Sequence, residues 1–118
     1  MEAADFSGYA SKAGLRCSDG RTILANAFKQ QDGTKVPLVW QHMHNEASNV
    51  LGHAYLENRE DGVYAYGFFN NEAQAQVAKG LVKHGDIEAL SIYANKLVQK
   101  GADVLHGSIK EVSLVLAG

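Results

Sequence analysis

A mostly β fold with one packed helix, arranged as an antiparallel barrel or sandwich, is what this sequence predicts, and three observations predict it. Short apolar runs, one of them in clear period-two alternation, recur between polar breaks. One pair of runs is joined through an Asp-Gly connection, and only one long stretch, residues 72–83, carries an apolar stripe at helical spacing. The βαβ alternation of a parallel sheet is missing.

Taken in order, residues 6–10 form a short opening strand, and residues 11–21 a loop punctuated by Gly14, Ser18, Asp19 and Gly20. Residues 22–29 place Ile23, Leu24, Ala27 and Phe28 at spacings that suit one or two helical turns, and Asp32-Gly33 breaks that pattern within 30–34. The apolar run Val36-Pro37-Leu38-Val39-Trp40-Gln41-His42 is a strand that delivers a histidine to its end. A polar turn over 44–49 leads to strands 50–56 and 63–69, which flank Asn58-Arg59-Glu60-Asp61-Gly62. Val63, Ala65 and Gly67 alternate with Tyr64, Tyr66 and Phe68, so this pair is a β-hairpin.

Asn70 or Asn71 then offers an N-cap, Glu72 sits in the first helical turn, and Ala75, Ala78, Leu81 and Val82 form the apolar stripe. Lys83, His84 and Gly85 mark the helix end, cations at the negative pole followed by a residue free to take positive φ. Three further strands are expected at 88–98, 104–109 and 112–116, separated by the polar residues 99–103 and by Lys110-Glu111. There is no internal repeat.

With 118 residues, 46% of them apolar and 20% charged, the chain is one globular domain, 1–118. Its 11 basic and 13 acidic residues are spread along the chain, so neither a nucleic-acid footprint nor a polybasic membrane tract is present. A single cysteine, Cys17, has no partner for a disulfide or a CxxC motif and reads as a small loop side chain in a reducing compartment. No apolar run approaches the ~20 residues of a membrane span, and Met1-Glu2-Ala3-Ala4-Asp5 has neither the charge nor the apolar core of a signal peptide, so a cytoplasmic protein is expected. Neither GxxxxGK[ST] nor GxGxxG occurs, and no cofactor is expected.

Chemistry is concentrated in a few residues. His42, at the end of its apolar run, would project from a rigid element as a general base, or end the strand against nearby backbone. Ser91, between Leu90 and Ile92, is a hydroxyl among apolar neighbours that either bonds backbone or acts as a nucleophile. A serine nucleophile needs a base within hydrogen-bond reach and a third group to orient that base. Glu111, His53 and His106 are the candidates for the third group. His42 and His44, with Glu46 close behind, also permit a metal reading, because residues i and i+2 of a strand share a face, although no HExxH or cysteine pair supports it.

The run ending in His42, Gly52 in a returning strand, the Gly62-Val63-Tyr64 hairpin, the helix, Ala89-Leu90-Ser91-Ile92 and Lys110-Glu111-Val112-Ser113-Leu114-Val115 together resemble the prohead proteases of tailed bacteriophages. Order and spacing are similar over almost the whole chain, and that family is similar in fold to the herpesvirus maturational protease, assemblin. The resemblance implies an antiparallel β-barrel flanked by short helices. It implies a serine endopeptidase that cuts the scaffolding segment from coat protein inside the immature capsid, in the host cytoplasm, and also cleaves itself.

His42 is then the general base, Ser91 the nucleophile and Glu111 the orienting acid, although related viral proteases use a second histidine in the third role. Many relatives carry a glycine and then a basic residue soon after the serine. Here the run is Ile92-Tyr93-Ala94-Asn95-Lys96, which implies a backbone N–H as oxyanion donor with Asn95 or Lys96 as auxiliaries. Relatives often continue beyond the point where this chain ends, at Gly118. The expected partners are the phage major capsid protein or its scaffolding segment and the chain itself, with no nucleic acid or membrane, and with a homo-oligomer left open. Two readings from other classes stand beside this one: a non-catalytic capsid-assembly module of the same fold, and a small metal-binding barrel using His42, His44 and Glu46.

Overall fold

The computed structural model describes residues 3–116. Strands β1 (Phe6–Lys12), β2 (Thr22–Ile23), β3 (Lys35–Trp40), β4 (Val50–Arg59) and β5 (Gly62–Phe69) precede helix α1 (Ala73–His84), and β6 (Ala89–Lys100) and β7 (Asp103–Val115) follow it. All seven strands form one sheet in the order β1-β5-β4-β3-β7-β2, with β6 also paired to β7. The sheet curls until β6 returns beside β1, where Leu90 Cδ1 lies 3.6 Å from the place a Cβ on Gly8 would occupy. The fold is therefore mostly β, a curled half-barrel with one helix. Among the described residues no helix is long and apolar enough to cross a membrane.

The pairing is mixed, not purely antiparallel as expected. Leu38, Val39 and Trp40 of β3 pair in parallel with Val112, Ser113 and Leu114 of β7, and β2 also runs parallel to β7. Alternation along a strand reports which face is buried, whereas direction depends on the connection, and β7 reaches β3 only after two strands, a helix and β6. The expected flanking helices reduce to α1 and two three-residue 3-10 turns, Lys29–Gln31 and Ala47–Asn49.

Residues 22–28 are not helical, and only Lys29 enters a 3-10 turn. The Thr22 and Leu24 N–H groups donate to Ala102 and Val104 carbonyls, making β2 a short rail on β7, and Asn26 turns the chain at φ 66°. Ala27 and Phe28 are nonetheless buried, so the apolar spacing serves packing without a helix. The hairpin is as expected but longer: Arg59 pairs with Gly62 across the two-residue turn Glu60-Asp61. Helix α1 buries Ala75 and Ala78 and packs Val82 against the core, while Leu81 is exposed. Its N-cap is Glu72, whose N–H donates to Asn70 Oδ1 at 2.9 Å. At the other end Gly85 takes the left-handed conformation and donates to the Leu81 and Val82 carbonyls.

The three strands expected after the helix are two long ones, because Lys110-Glu111 is no break. Tyr93 pairs with Glu111 and Ala94 with Ile109, which leaves Lys110 as a bulge. An extra residue reverses the alternation beyond it. Ile109 faces the core on one side of the bulge, Val112 and Leu114 on the other, and Glu111, Ser113 and Val115 point to the opposite face. That face is buried too, since the chain leaving β3 folds over it. Leu38, Leu51, Ile109, Val112 and Leu114 fill the core, each contributing about 1.5–3 kcal/mol from burial.

Candidate active site

His42 is carried by a turn, two residues past the end of the strand that was expected to hold it. Trp40 ends β3, and its carbonyl accepts the Met43 N–H at 2.9 Å, closing a four-residue turn whose central residues Gln41 and His42 have φ values of 52° and 59°. Two consecutive positive φ angles make a type I′ turn, a conformation that glycine and asparagine adopt readily and that costs other residues on the order of 1–3 kcal/mol each. The strain is held by specific bonds. The Gln41 N–H donates to the Leu114 carbonyl at 3.0 Å, and Gln41 Oε1 accepts the Leu116 N–H at 2.9 Å. The His42 N–H donates to Ser113 Oγ at 3.0 Å.

The turn sets the His42 ring over β7, with Nδ1 2.7 Å from Glu111 Oε1. Glu111 is 2% exposed, and a carboxylate that deep is tolerable only when its oxygens are engaged. Oε1 also accepts the Ser113 hydroxyl at 2.9 Å, and His44 Nδ1 lies 2.7 Å from Oε2. The His44 ring leans on Tyr93, centroids 5.3 Å apart. Because an ionised carboxylate only accepts, Nδ1 of His42 carries a proton toward it, leaving Nε2 of the neutral ring as the acceptor.

Ser91 sits on β6 directly opposite Ser113, and Tyr93 opposite Glu111. Opposed residues of an antiparallel pair share a face with Cβ atoms about 5 Å apart, so Ser91 lies one strand spacing from the residue that bonds the His42 backbone. It is half-buried, and no hydrogen bond joins its hydroxyl to the His42 ring among the described residues. Ser91 also borders a groove of about 350 Å³ walled by Leu90, Ile92 and Ala94 of β6 and by Arg16 and Leu15 of the loop 13–21. The β6 edge along that groove has no strand partner among the described residues.

The other candidates lie elsewhere. His53 stacks on Phe68 at 5.3 Å on the hairpin, and His106 pairs with Val98 about 16 Å along β7 from Glu111. An extended strand carries Asn95 about 13 Å from Ser91, and Lys96 farther still, so neither expected auxiliary stands at the serine. Glu46 is exposed, while His42 and His44 both turn their Nδ1 atoms to Glu111, and among the described residues no group of three metal-ligating side chains is formed. Cys17 is exposed in its loop. Sequence reasoning missed Ser113 and the proximity of His44 to Glu111. The one available signal was parity, since Glu111 and Ser113 are two apart on a strand and must share a face.

Residues 1–115 match the family of caudovirus prohead serine proteases. The chain belongs to that family. No curated protein matches the chain at a significant level. Among solved structures it is similar to the KSHV protease, crystallised in complex with a hexapeptide phosphonate inhibitor, with a TM-score of 0.63 and 13% identity over 92% of this chain and 57% of that one. At such low identity the likeness is one of fold, and the prohead-protease chain spans little more than half the length of the viral enzyme.

Proposed function

We propose that the chain is a capsid-maturation serine endopeptidase in which Ser91 is the nucleophile, His42 the general base and Glu111 the orienting acid. The observation that carries this reading is the 2.7 Å contact between His42 Nδ1 and a buried Glu111 carboxylate, with Ser91 one strand away on the same face. Glu111 holds the ring in the tautomer whose Nε2 accepts a proton. His42 takes the Ser91 hydroxyl proton as Oγ attacks the scissile carbonyl, and Glu111 stabilises the imidazolium that forms. The imidazolium then protonates the leaving amine, and water activated by the same ring hydrolyses the acyl-enzyme. A main-chain N–H is the oxyanion donor in this reading, since Asn95 and Lys96 stand too far along β6.

The β6 edge, without a strand partner among the described residues, and the groove beside it suit an extended peptide, which would gain main-chain hydrogen bonds along the strand that bears Ser91. Family membership supports coat protein or its scaffolding segment as the substrate, cut inside the immature capsid in the host cytoplasm, with the protease also cutting itself. The test is co-expression with coat protein. Ser91→Ala should abolish both self-cleavage and coat-protein cleavage, and undiminished processing in that variant would sink the assignment.

A further inference from the structure

One residue touches both the base and the acid of the proposed triad without belonging to it. Ser113 is fully buried, its Oγ donates to Glu111 Oε1 at 2.9 Å, and the same oxygen accepts the His42 main-chain N–H at 3.0 Å. These bonds serve different needs. His42 sits at φ 59° in a strained turn, and the bond from its N–H anchors that backbone to β7. Glu111 offers two oxygens to three partners, and the hydroxyl on Oε1 fixes the carboxylate rotation at which the same oxygen meets His42 Nδ1.

We propose that Ser113 is a positioning residue, a buried clamp that sets the distance and angle between His42 and Glu111 by holding the backbone of one and the carboxylate of the other. The inference rests on the triad reading, but it concerns a contact observable without turnover. Its position opposite Ser91 adds a geometric consequence: the residue that fixes the base is paired to the strand that carries the nucleophile, so base and nucleophile are registered through one ladder rung. A hydroxyl is the only small side chain able to do both tasks, since donation to the carboxylate and acceptance from the N–H must come from a single atom.

The experiment compares the full chain with Ser113→Ala, Ser113→Thr and Ser113→Val, each checked for folding by circular dichroism. The readouts are phosphonylation of Ser91 by a fluorophosphonate probe, resolved into a maximal rate and a half-saturating concentration, and the His42 Nδ1–H proton resonance. Losing a hydrogen bond to a charged group should slow the maximal rate in Ser113→Ala by roughly 10- to 100-fold with the half-saturating concentration unchanged. The downfield Nδ1–H resonance should be lost or moved. Ser113→Thr, which keeps the hydroxyl, should recover most of both, and Ser113→Val, of the same shape without it, should not. A wild-type rate and unaltered resonance in folded Ser113→Ala, or equal loss in the Thr and Val variants, would overturn the clamp. Wild-type protein that the probe leaves unlabelled at Ser91 would instead defeat the triad, and the resonance comparison would still decide the role of Ser113.

Discussion

Ser91 and Ser113 face each other across the β6–β7 ladder, and the pairing converts two hydroxyls into parts of one assembly. Ser113 is sealed and spends its oxygen on Glu111 and the His42 backbone, while Ser91 is half-buried beside an open groove. The same rung therefore pairs a fully buried serine with a half-buried one. The I′ turn at Gln41-His42 supplies the third side of the arrangement by lifting the ring out of β3 to meet Glu111, two residues from Ser113 on β7.

Glu111→Gln tests the acid. A glutamine keeps the shape and one carbonyl acceptor but removes the charge that stabilises the imidazolium and favours the working tautomer. Cleavage should fall on the order of 10⁴-fold, measured as the rate of self-processing or of fluorophosphonate labelling. His44→Ala removes only the neighbour of Oε2, 52% exposed in its side chain, and its effect should be far smaller. Wild-type rates in Glu111→Gln would move the third role away from the carboxylate.

Much of this fold was legible because local signals coincide. The Asp61-Gly62 dipeptide and the alternation after it declared the β4–β5 hairpin, and Gly85 after Lys83-His84 declared the end of α1. Other features were hidden for identifiable reasons. The Lys110 bulge reverses parity in the middle of β7, so one strand looked like two. Two residues of β2 are too few to show any period, and the parallel run of β3 on β7 is a property of the crossover. At the site the turn Gln41-His42 contains neither the glycine nor the asparagine that usually announces a type I′ turn, so it leaves no mark in composition. The convergence of His44 and Ser113 on Glu111 is purely tertiary.

Gly52→Ala should break the hairpin behind the site. Gly52 has φ 154°, and a Cβ there would stand 1.9 Å from the Phe68 carbonyl oxygen, a backbone atom that has no rotamer to retreat into. The main chain of β4 or β5 must shift, and both the pairing of Gly52 with Phe69 and the β3–β4 register at Leu38 lie next to it. A loss of at least ~2 kcal/mol is expected in urea unfolding, in line with strained backbone plus overpacking. Unchanged stability would mean that the strands separate there more easily than their hydrogen bonding suggests.

Asn49→Ala tests whether the loop over Glu111 must be fastened for the site to work. Asn49 is 5% exposed, its Nδ2 donates to the Met43 carbonyl at 3.1 Å, and its Oδ1 accepts from Gln74 Nε2 of α1 at 2.9 Å. Met43 is the last residue of the turn that holds His42, so this one amide ties that turn to the helix. Alanine would leave the Met43 carbonyl and the Gln74 amide without those partners, at a cost of about 1–3 kcal/mol in denaturant unfolding. Activity should fall by more than the unfolded fraction explains, because a loosened turn lets the ring drift from Glu111 and Ser91 while the barrel stays folded. Hydrogen exchange should show the difference locally, with the Met43 and His42 amides exchanging faster and those of β4 and β5 unchanged. If labelling by a serine-directed probe stays at the wild-type rate while those amides exchange faster, the turn keeps its geometry without the helix and the bonds from β7 suffice.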